Sequence, residues 1–432
     1  MRDILPAEME LRDAAVAQIV RVYRSHGFRR IETPALESLR FLTSGQGGEN
    51  EKLVFKVLKR GEKLASAMTA GQGELADLGL RFDLTVPLAR YFAENHARLP
   101  HPLKAIQIGP VWRAERPQKG RFRQFTQCDI DILGVASPAA EIELICATCD
   151  ALTALGLRDL RVRLNDRRLL TAIAEHLGVE VSRHGAFFVA FDKLDKVGAA
   201  GVAEELRTTG HAPRAVAAFA AFLDDQRAHG QSLERLRATL EAPTARPAFT
   251  ALQEIVDVVR AMAAGRFAIA FDPTLVRGMG YYTGPVFEIT HAGSSGSIAG
   301  GGRYDEMVGK MSGRSAPACG FSIGFERIIP LLQSATAERE HLLGAAGLAT
   351  ERIALLYDEH EVPLRAAMKA AKDLREAKTV VVSLEPKRKN LSRQLDELAA
   401  HAYSHYAVLR ADQPSPLVRP LPGPPPSTGD ER

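Results

Sequence analysis

The 432-residue chain has no apolar run long enough to cross a bilayer, so no transmembrane helix and no membrane partner are expected. Its first residues, Met-Arg-Asp-Ile-Leu-Pro, lack a charged region followed by an apolar stretch, and no secretory signal is expected. Cysteine is scarce. The four present, Cys128, Cys146, Cys149 and Cys319, cannot staple a secreted fold, which points to a reducing cytoplasm. Cys146 and Cys149 have CxxC spacing, but no second pair or flanking His cluster completes a zinc set. They lie in EIELICATCDALTAL, which reads as a packed apolar helix, and no protein-bound metal is expected. Neither sign of charge dominates: 56 basic against 52 acidic residues leave +4, which permits RNA binding without arguing for it. What the chain does have is 46% apolar and 25% charged residues, a globular balance, at a length that suits two or three domains.

Along the chain, residues 8–25 repeat apolar side chains at helical spacing through Val16, Ile19, Val20 and Tyr23, with Gly27 as a stop. Phe28 to Thr33 alternates like a strand and ends at Pro34. Residues 103–133 read as two strands around a polar turn from Arg116 to Arg121, and 138–156 read as a helix. Residues 168–262 have few strand signals and read as a helical insertion. Strand and glycine signals return from Phe267 through Tyr281–Thr290, Gly300–Gly302 and Cys319–Phe325. From 352 to 410 strand-like and helical stretches alternate, as in a small α/β domain with a parallel sheet. Residues 411–432, with seven prolines between Pro414 and Pro426, read as an extended or disordered tail.

The segment GPVWRAERPQKGRFRQFTQCDIDILG carries the densest chemistry. Side chains alternate along a strand, so Arg113 and Glu115 share a face of the first strand and Arg123, Phe125, Gln127, Asp129 and Asp131 a face of the second, giving one hairpin face of cations, acids, an amide and an aromatic ring. Thr126, Cys128, Ile130 and Ile132 point the opposite way, toward a core. Spacing alone fits a salt-laced antiparallel hairpin as well as a nucleotide platform. In the second case arginine forks suit phosphate oxygens, a carboxylate accepts from an exocyclic amine, and an aromatic face stacks a base. Gly300–Gly302 fits either a bulge or turn, or a place where backbone approaches a ligand closely.

These residues resemble motif 2 of the class II aminoacyl-tRNA synthetases, in the form found in the histidine enzymes. FRRIETP, residues 28–34, resembles motif 1, and ACGFSIGFER, residues 318–327, resembles motif 3. RGMGYYTGPVFE, residues 277–288, and AGGGRYD, residues 299–305, resemble the two histidine-specific signatures of that family. The resemblance implies an α+β fold: an antiparallel-sheet catalytic core over 1–167 and 263–335, the helical insertion at 168–262, and a shortened, anticodon-binding-like α/β domain at 352–410.

By the same resemblance, ATP, as Mg-ATP, would be held by Arg113 at the α-phosphate, Glu115 at the adenine amine and Phe125 against one adenine face. Arg327 would cover the other face, and Arg121 would touch the phosphates. Histidine would be held at its amino group by Asp83, Thr85 and Gln127, with Asp131 and Tyr282 bracketing the imidazole and Tyr281 and Tyr304 completing the pocket. Arg277, with Arg113, would be catalytic, bridging the histidine carboxylate and the α-phosphate. The implied activity is histidine–tRNA ligation by a cytoplasmic homodimer, with L-histidine and histidine tRNA as partners. Two other readings share the core: a paralogue that hands activated histidine to another acceptor, and a non-catalytic ATP phosphoribosyltransferase regulatory subunit. Retention of Arg113, Glu115, Arg277 and Arg327 argues against the last. Gly280 stands where the family commonly has Asp, and Asp83 and Asp131 stand where many bacterial relatives have Glu.

Overall fold

The computed structural model describes residues 1–43, 52–69, 74–116, 122–240, 245–276, 281–313, 316–346, 351–377, 380–413 and 415–421. In chain order the strands are β1 (Arg29–Arg30), β2 (Leu36–Ser38), β3 (Lys56–Leu58), β4 (Ala76–Leu80), β5 (Leu103–Trp112), β6 (Gln124–Leu133), β7 (Arg161–Asp166), β8 (Ala268–Phe271), β9 (Pro285–Thr290), β10 (Ala299–Arg303), β11 (Ala318–Gly324), β12 (Arg352–Tyr357), β13 (Val381–Pro386), β14 (His405–Leu409) and β15 (Arg419–Pro420). They divide between two compact units, Met1–Leu5 with Val16–Ala335, and Pro6–Ala15 with Thr336–Arg432.

An eight-stranded sheet, ordered β1-β5-β6-β11-β10-β9-β7-β8, organises the first unit. Its six central strands pair antiparallel, and only the edge strands β1 and β8 pair parallel to their neighbours. The long pair β5–β6 keeps an unbroken register from Leu103↔Leu133 to Trp112↔Gln124, which fixes the face of every side chain on it. One face is dry: Cys128, Ile130 and Ile132 are buried there, with the helix Ala139–Ala154 packed nearby through Leu144, Ile145 and Leu152. The strand expected over Phe28 to Thr33 shrinks to Arg29–Arg30, because the chain leaves the sheet edge as it approaches Pro34. All described elements between β7 and β8 are helical, from Arg167–His176 to Arg246–Ala263. Asp166 starts the first of these, accepting from the Arg168 amide at 2.8 Å.

A second, three-stranded sheet, β2-β4-β3, lies in the same unit. In the other unit β13, β12 and β14 run parallel, and β15 adds an antiparallel strand to β14 from within the stretch read as a tail. Strand β12 is apolar on both faces because both are covered: Ile353 and Leu355 meet the helix Leu364–Ala377, and Ala354 and Leu356 meet the helix Leu391–Ala400.

One buried ion pair locks β10 to the helix behind the sheet. Arg303 Nε and Nη2 donate to the two oxygens of Glu141 at 2.6 and 2.7 Å, while Arg303 also donates to the Val135 and Ser137 carbonyls. Both side chains are buried, at 7% and 1% exposure. The Arg388–Glu397 pair, by contrast, is exposed. Removing one member of a buried pair costs up to about 3–5 kcal/mol, lessened here because Asp305 remains 3.2 Å from Arg303 Nη1, whereas an exposed pair is worth roughly 0–1 kcal/mol. Glu141→Gln is therefore expected to shift the denaturant transition reported by the fluorescence of Trp112, the chain's single tryptophan, to much lower denaturant, and Glu397→Gln to leave it in place.

Candidate active site

Strand β6 crosses the middle of the first unit and turns Gln127, Asp129 and Asp131 into a cleft of about 950 Å³. Asp83 enters the same cleft from the residues before the helix Thr85–Asn95. Its Oδ1 accepts from the Val86 amide at 3.1 Å, so the carboxylate caps the helix and is held in one orientation. The backbone beside it is pinned in turn. Gln107 Nε2 donates to the Leu84 carbonyl at 2.9 Å, Thr33 Oγ1 donates to Gln107 Oε1 at 3.3 Å, and Arg81 Nη1 donates to the Thr33 carbonyl at 2.6 Å. Gly109 makes room for that arginine, since a Cβ there would lie 2.7 Å from Arg81 Nη2. The FRRIETP segment thus reaches the site through Thr33.

Asp131 sits at the opposite end of the row. The Tyr304 hydroxyl donates to its Oδ1 at 2.6 Å. Across the ladder is Gly320, where a Cβ would stand 2.0 Å from the same oxygen. The glycine cluster works the same way. It forms β10 in regular register with β9 and β11, with neither bulge nor turn. A Cβ on Gly301 would meet the Gly320 carbonyl at 2.1 Å, and one on Gly302 would meet the Tyr282 ring at 2.8 Å. Close approach is what the glycines serve, and it lets Tyr282, Tyr304 and Asp131 converge. The Tyr281 ring lies 4.7 Å from that of Tyr282 and 6.0 Å from that of Tyr304.

Toward the cleft mouth the Arg113 guanidinium lies over the Phe125 ring at 5.0 Å, and its Nε donates to the Phe82 carbonyl at 3.1 Å. Arg327, from the helix Phe325–Ser334, donates to the Ser297 carbonyl. Glu115 and Thr85 line the same cleft. Arg121, Arg277 and Gly280 lie outside the described residues.

Four buried acceptor atoms face this space with no hydrogen-bond partner among the described residues: Asp83 Oδ2, Gln127 Oε1, Asp129 Oδ1 and Asp131 Oδ2. Burial pushes the Asp83 carboxyl up to about 6, against the pull of the Val86 amide and Arg113. Burial pushes Asp131 up to about 7, opposed by the Tyr304 hydroxyl and reinforced by Asp83. Asp129 is also raised well above the usual carboxylate range, by burial and then by Asp131, despite a hydrogen bond with Ser322. Among the described residues these four acceptor atoms therefore lack hydrogen-bond donors, although Arg113 lies close enough to attract Asp83 and Asp129.

A family model described as histidyl-tRNA synthetase matches residues 1–328. The chain belongs to the histidyl-tRNA synthetase family. A histidine–tRNA ligase from Leifsonia xyli subsp. xyli is 45% identical over 96% of this chain and 95% of its own length. One from Christiangramia forsetii is 34% identical over 95% and 91%. The crystal structure of histidyl-tRNA synthetase from Nostoc sp. PCC 7120 superposes with a TM-score of 0.73 at 26% identity, covering 97% of this chain and 93% of that one. The fold is thus the class II synthetase core. Within this histidyl-tRNA synthetase framework Arg303 faces away from the chemistry, as the anchor to Glu141. Asp129, Gly320 and Ser322 line the site without having been singled out in sequence. Asp129 shared the face of Gln127 and Asp131 by its even spacing, which was the available signal. Nothing in the sequence marks Gly320 as the partner of Asp131, because strand pairing sets that contact.

Two outcomes follow from the Asp131 end. Gly320→Ala places a methyl group on Asp131, so histidine binding is expected to weaken by tenfold or more, with ATP binding unchanged in the same calorimetric titrations. Because Asp131 has its folded pKa raised above the usual carboxylate value, its favourable contribution holds at low pH and is lost as pH rises through about 7. Asp131→Asn is thus expected to raise the melting temperature of the unliganded protein at pH 8, with a gain that shrinks toward pH 5.

Proposed function

We propose that this chain activates histidine with ATP to histidyl-adenylate and transfers the histidyl group to histidine tRNA. The four unpartnered acceptors beside an arginine-lined, phenylalanine-bearing cleft carry the reading. Neutral histidine brings N–H donors at its ammonium and imidazole, and an acid lacking the imidazole would leave Asp131 Oδ2 unpaired in a buried place, which rejects it strongly. ATP would lie along the other arm, with Phe125 and Arg327 at the adenine, Glu115 at its amine and Arg113 at the α-phosphate. Magnesium enters on the ATP phosphates and adds positive charge there.

An oxygen of the histidine carboxylate attacks the α-phosphorus, and the bond to the bridging oxygen breaks as pyrophosphate leaves with the electron pair. The nucleophile is already ionised, so no general base is needed and catalysis is positioning and charge stabilisation. On the family resemblance Arg277 bridges the two anions and Arg121 meets the phosphates. The ribose hydroxyl of the tRNA terminus then attacks the acyl carbon, the bond from that carbon to the phosphate oxygen breaks, and AMP departs with the electron pair as the hydroxyl proton passes to a phosphate oxygen. The α/β segment 352–410 serves as the anticodon reader, with exposed Lys387 and Lys389 beside Arg388 and Arg393 to meet the RNA backbone. A cytoplasmic homodimer belongs to the same reading: exposed Pro34, Leu36, Leu58 and Leu78 on and beside the three-stranded sheet form an apolar surface for a second copy.

The purified protein is expected to exchange pyrophosphate into ATP only when histidine is added, and to acylate histidine tRNA. Arg277→His should lower kcat for exchange on the order of 10²–10³. Exchange without histidine, or with another amino acid, would sink the proposal.

A further inference from the structure

Asp129 has no role in the reading above, yet it is buried at 3% exposure on the floor of the cleft. It stands between Gln127 and Asp131 on the same face of β6, opposite Gln107 on one neighbouring strand and Ser322 on the other. Its Oδ1 has no hydrogen-bond partner among the described residues. Asp131 and Asp83 repel it, and Arg113 and the buried Arg81 attract it, but neither arginine is hydrogen-bonded to it among the described residues. A buried carboxylate in that position is costly unless something arrives to pair it.

The donors of the substrate match the vacant acceptors in number. An α-ammonium carries three N–H donors and a neutral imidazole carries one. With Asp131 Oδ2 facing the imidazole, the remaining vacant atoms are Asp83 Oδ2, Gln127 Oε1 and Asp129 Oδ1. We infer that Asp129 is the third acceptor of the histidine α-ammonium, completing with Asp83 and Gln127 a cage that selects an amine-bearing acid. The inference rests on the proposed histidine activation and adds to it a specificity-determining residue. A charged hydrogen bond in a dry site also supplies a counter-cation to the Asp83–Asp129–Asp131 row, so the amine contributes orientation as well as affinity. Thr85, expected to share the amino group, has its place at the cleft wall and is not needed to fill the donor count.

The test compares two ligands on the full-length protein by calorimetry without ATP. Histidinol keeps the amine and imidazole and lacks the carboxylate. Imidazolepropionate keeps the imidazole and carboxylate and lacks the amine. Asp129→Asn is expected to weaken histidinol by about ten- to a hundredfold and to leave imidazolepropionate within about twofold. Asp129→Glu is expected to recover part of the histidinol affinity. Equal losses for both ligands, or none for histidinol, would overturn the inference. ATP affinity and melting temperature of Asp129→Asn report folding: ATP affinity is expected to be kept and the melting temperature to be kept or raised, since the change removes repulsion between buried acids. Failure of the wild-type protein to bind either ligand would instead overturn the histidine-activating reading on which the inference stands.

Discussion

Three buried carboxylates, Asp129 and Asp131 on the sheet and Asp83 beside it, meet in one cleft, and among the described residues none of them forms an ion pair with a cation. Asp83, Asp129 and Asp131 are all nearly inaccessible and are pushed toward protonation by burial, with Asp83 adding to the rise of Asp129 and Asp131 and Asp131 adding to that of Asp129. A fold tolerates such a floor only when the rest of its structure holds it open, because collapse or rotation would let the acids find other partners. The helix cap on Asp83, the Tyr304 hydroxyl on Asp131 and the buried chain from Arg81 through Thr33 and Gln107 provide that restraint. Stability is given up at the site and recovered behind it, in the apolar face of β6 and in the Arg303–Glu141 lock.

The sheet around that floor is thin for the same reason. Gly301, Gly302 and Gly320 lie on two adjacent strands, and a methyl group on any of them would occupy space taken by backbone, by Tyr282 or by Asp131. Glycine weakens a strand, but here the neighbouring strands keep an unbroken register on both sides. The ring of Tyr282 and the carboxylate of Asp131 then reach one pocket, which is the geometry that an imidazole with one donor and one acceptor requires.

Much of this was legible in sequence because it is local. Period-two alternation placed Gln127, Asp129 and Asp131 on one face, and helical spacing marked residues 8–25, found as the helix Pro6–Ser25. The two histidine signatures pointed to the family that the comparisons establish. What escaped depends on pairing between distant segments. The choice between a turn and close approach at Gly300–Gly302 could not be made until the strand pairing was seen, and Arg303 could not be separated from Tyr304 until Glu141, 162 residues away in sequence, was found beneath it. The Asp129 role was hidden for another reason: a family motif marks residues already assigned, whereas a vacant buried oxygen is visible only in three dimensions.

The most direct measurement is the number of protons exchanged when histidine binds. Calorimetric titrations at pH 7 in buffers of different ionisation enthalpy yield that number without any variant. If the raised carboxylates ionise to accept the substrate's N–H donors, binding releases protons, and affinity for histidine falls as the pH is lowered from 8 to 6. Proton uptake, or binding with no proton exchange and no pH dependence, would contradict a floor of vacant acidic acceptors as the basis of recognition.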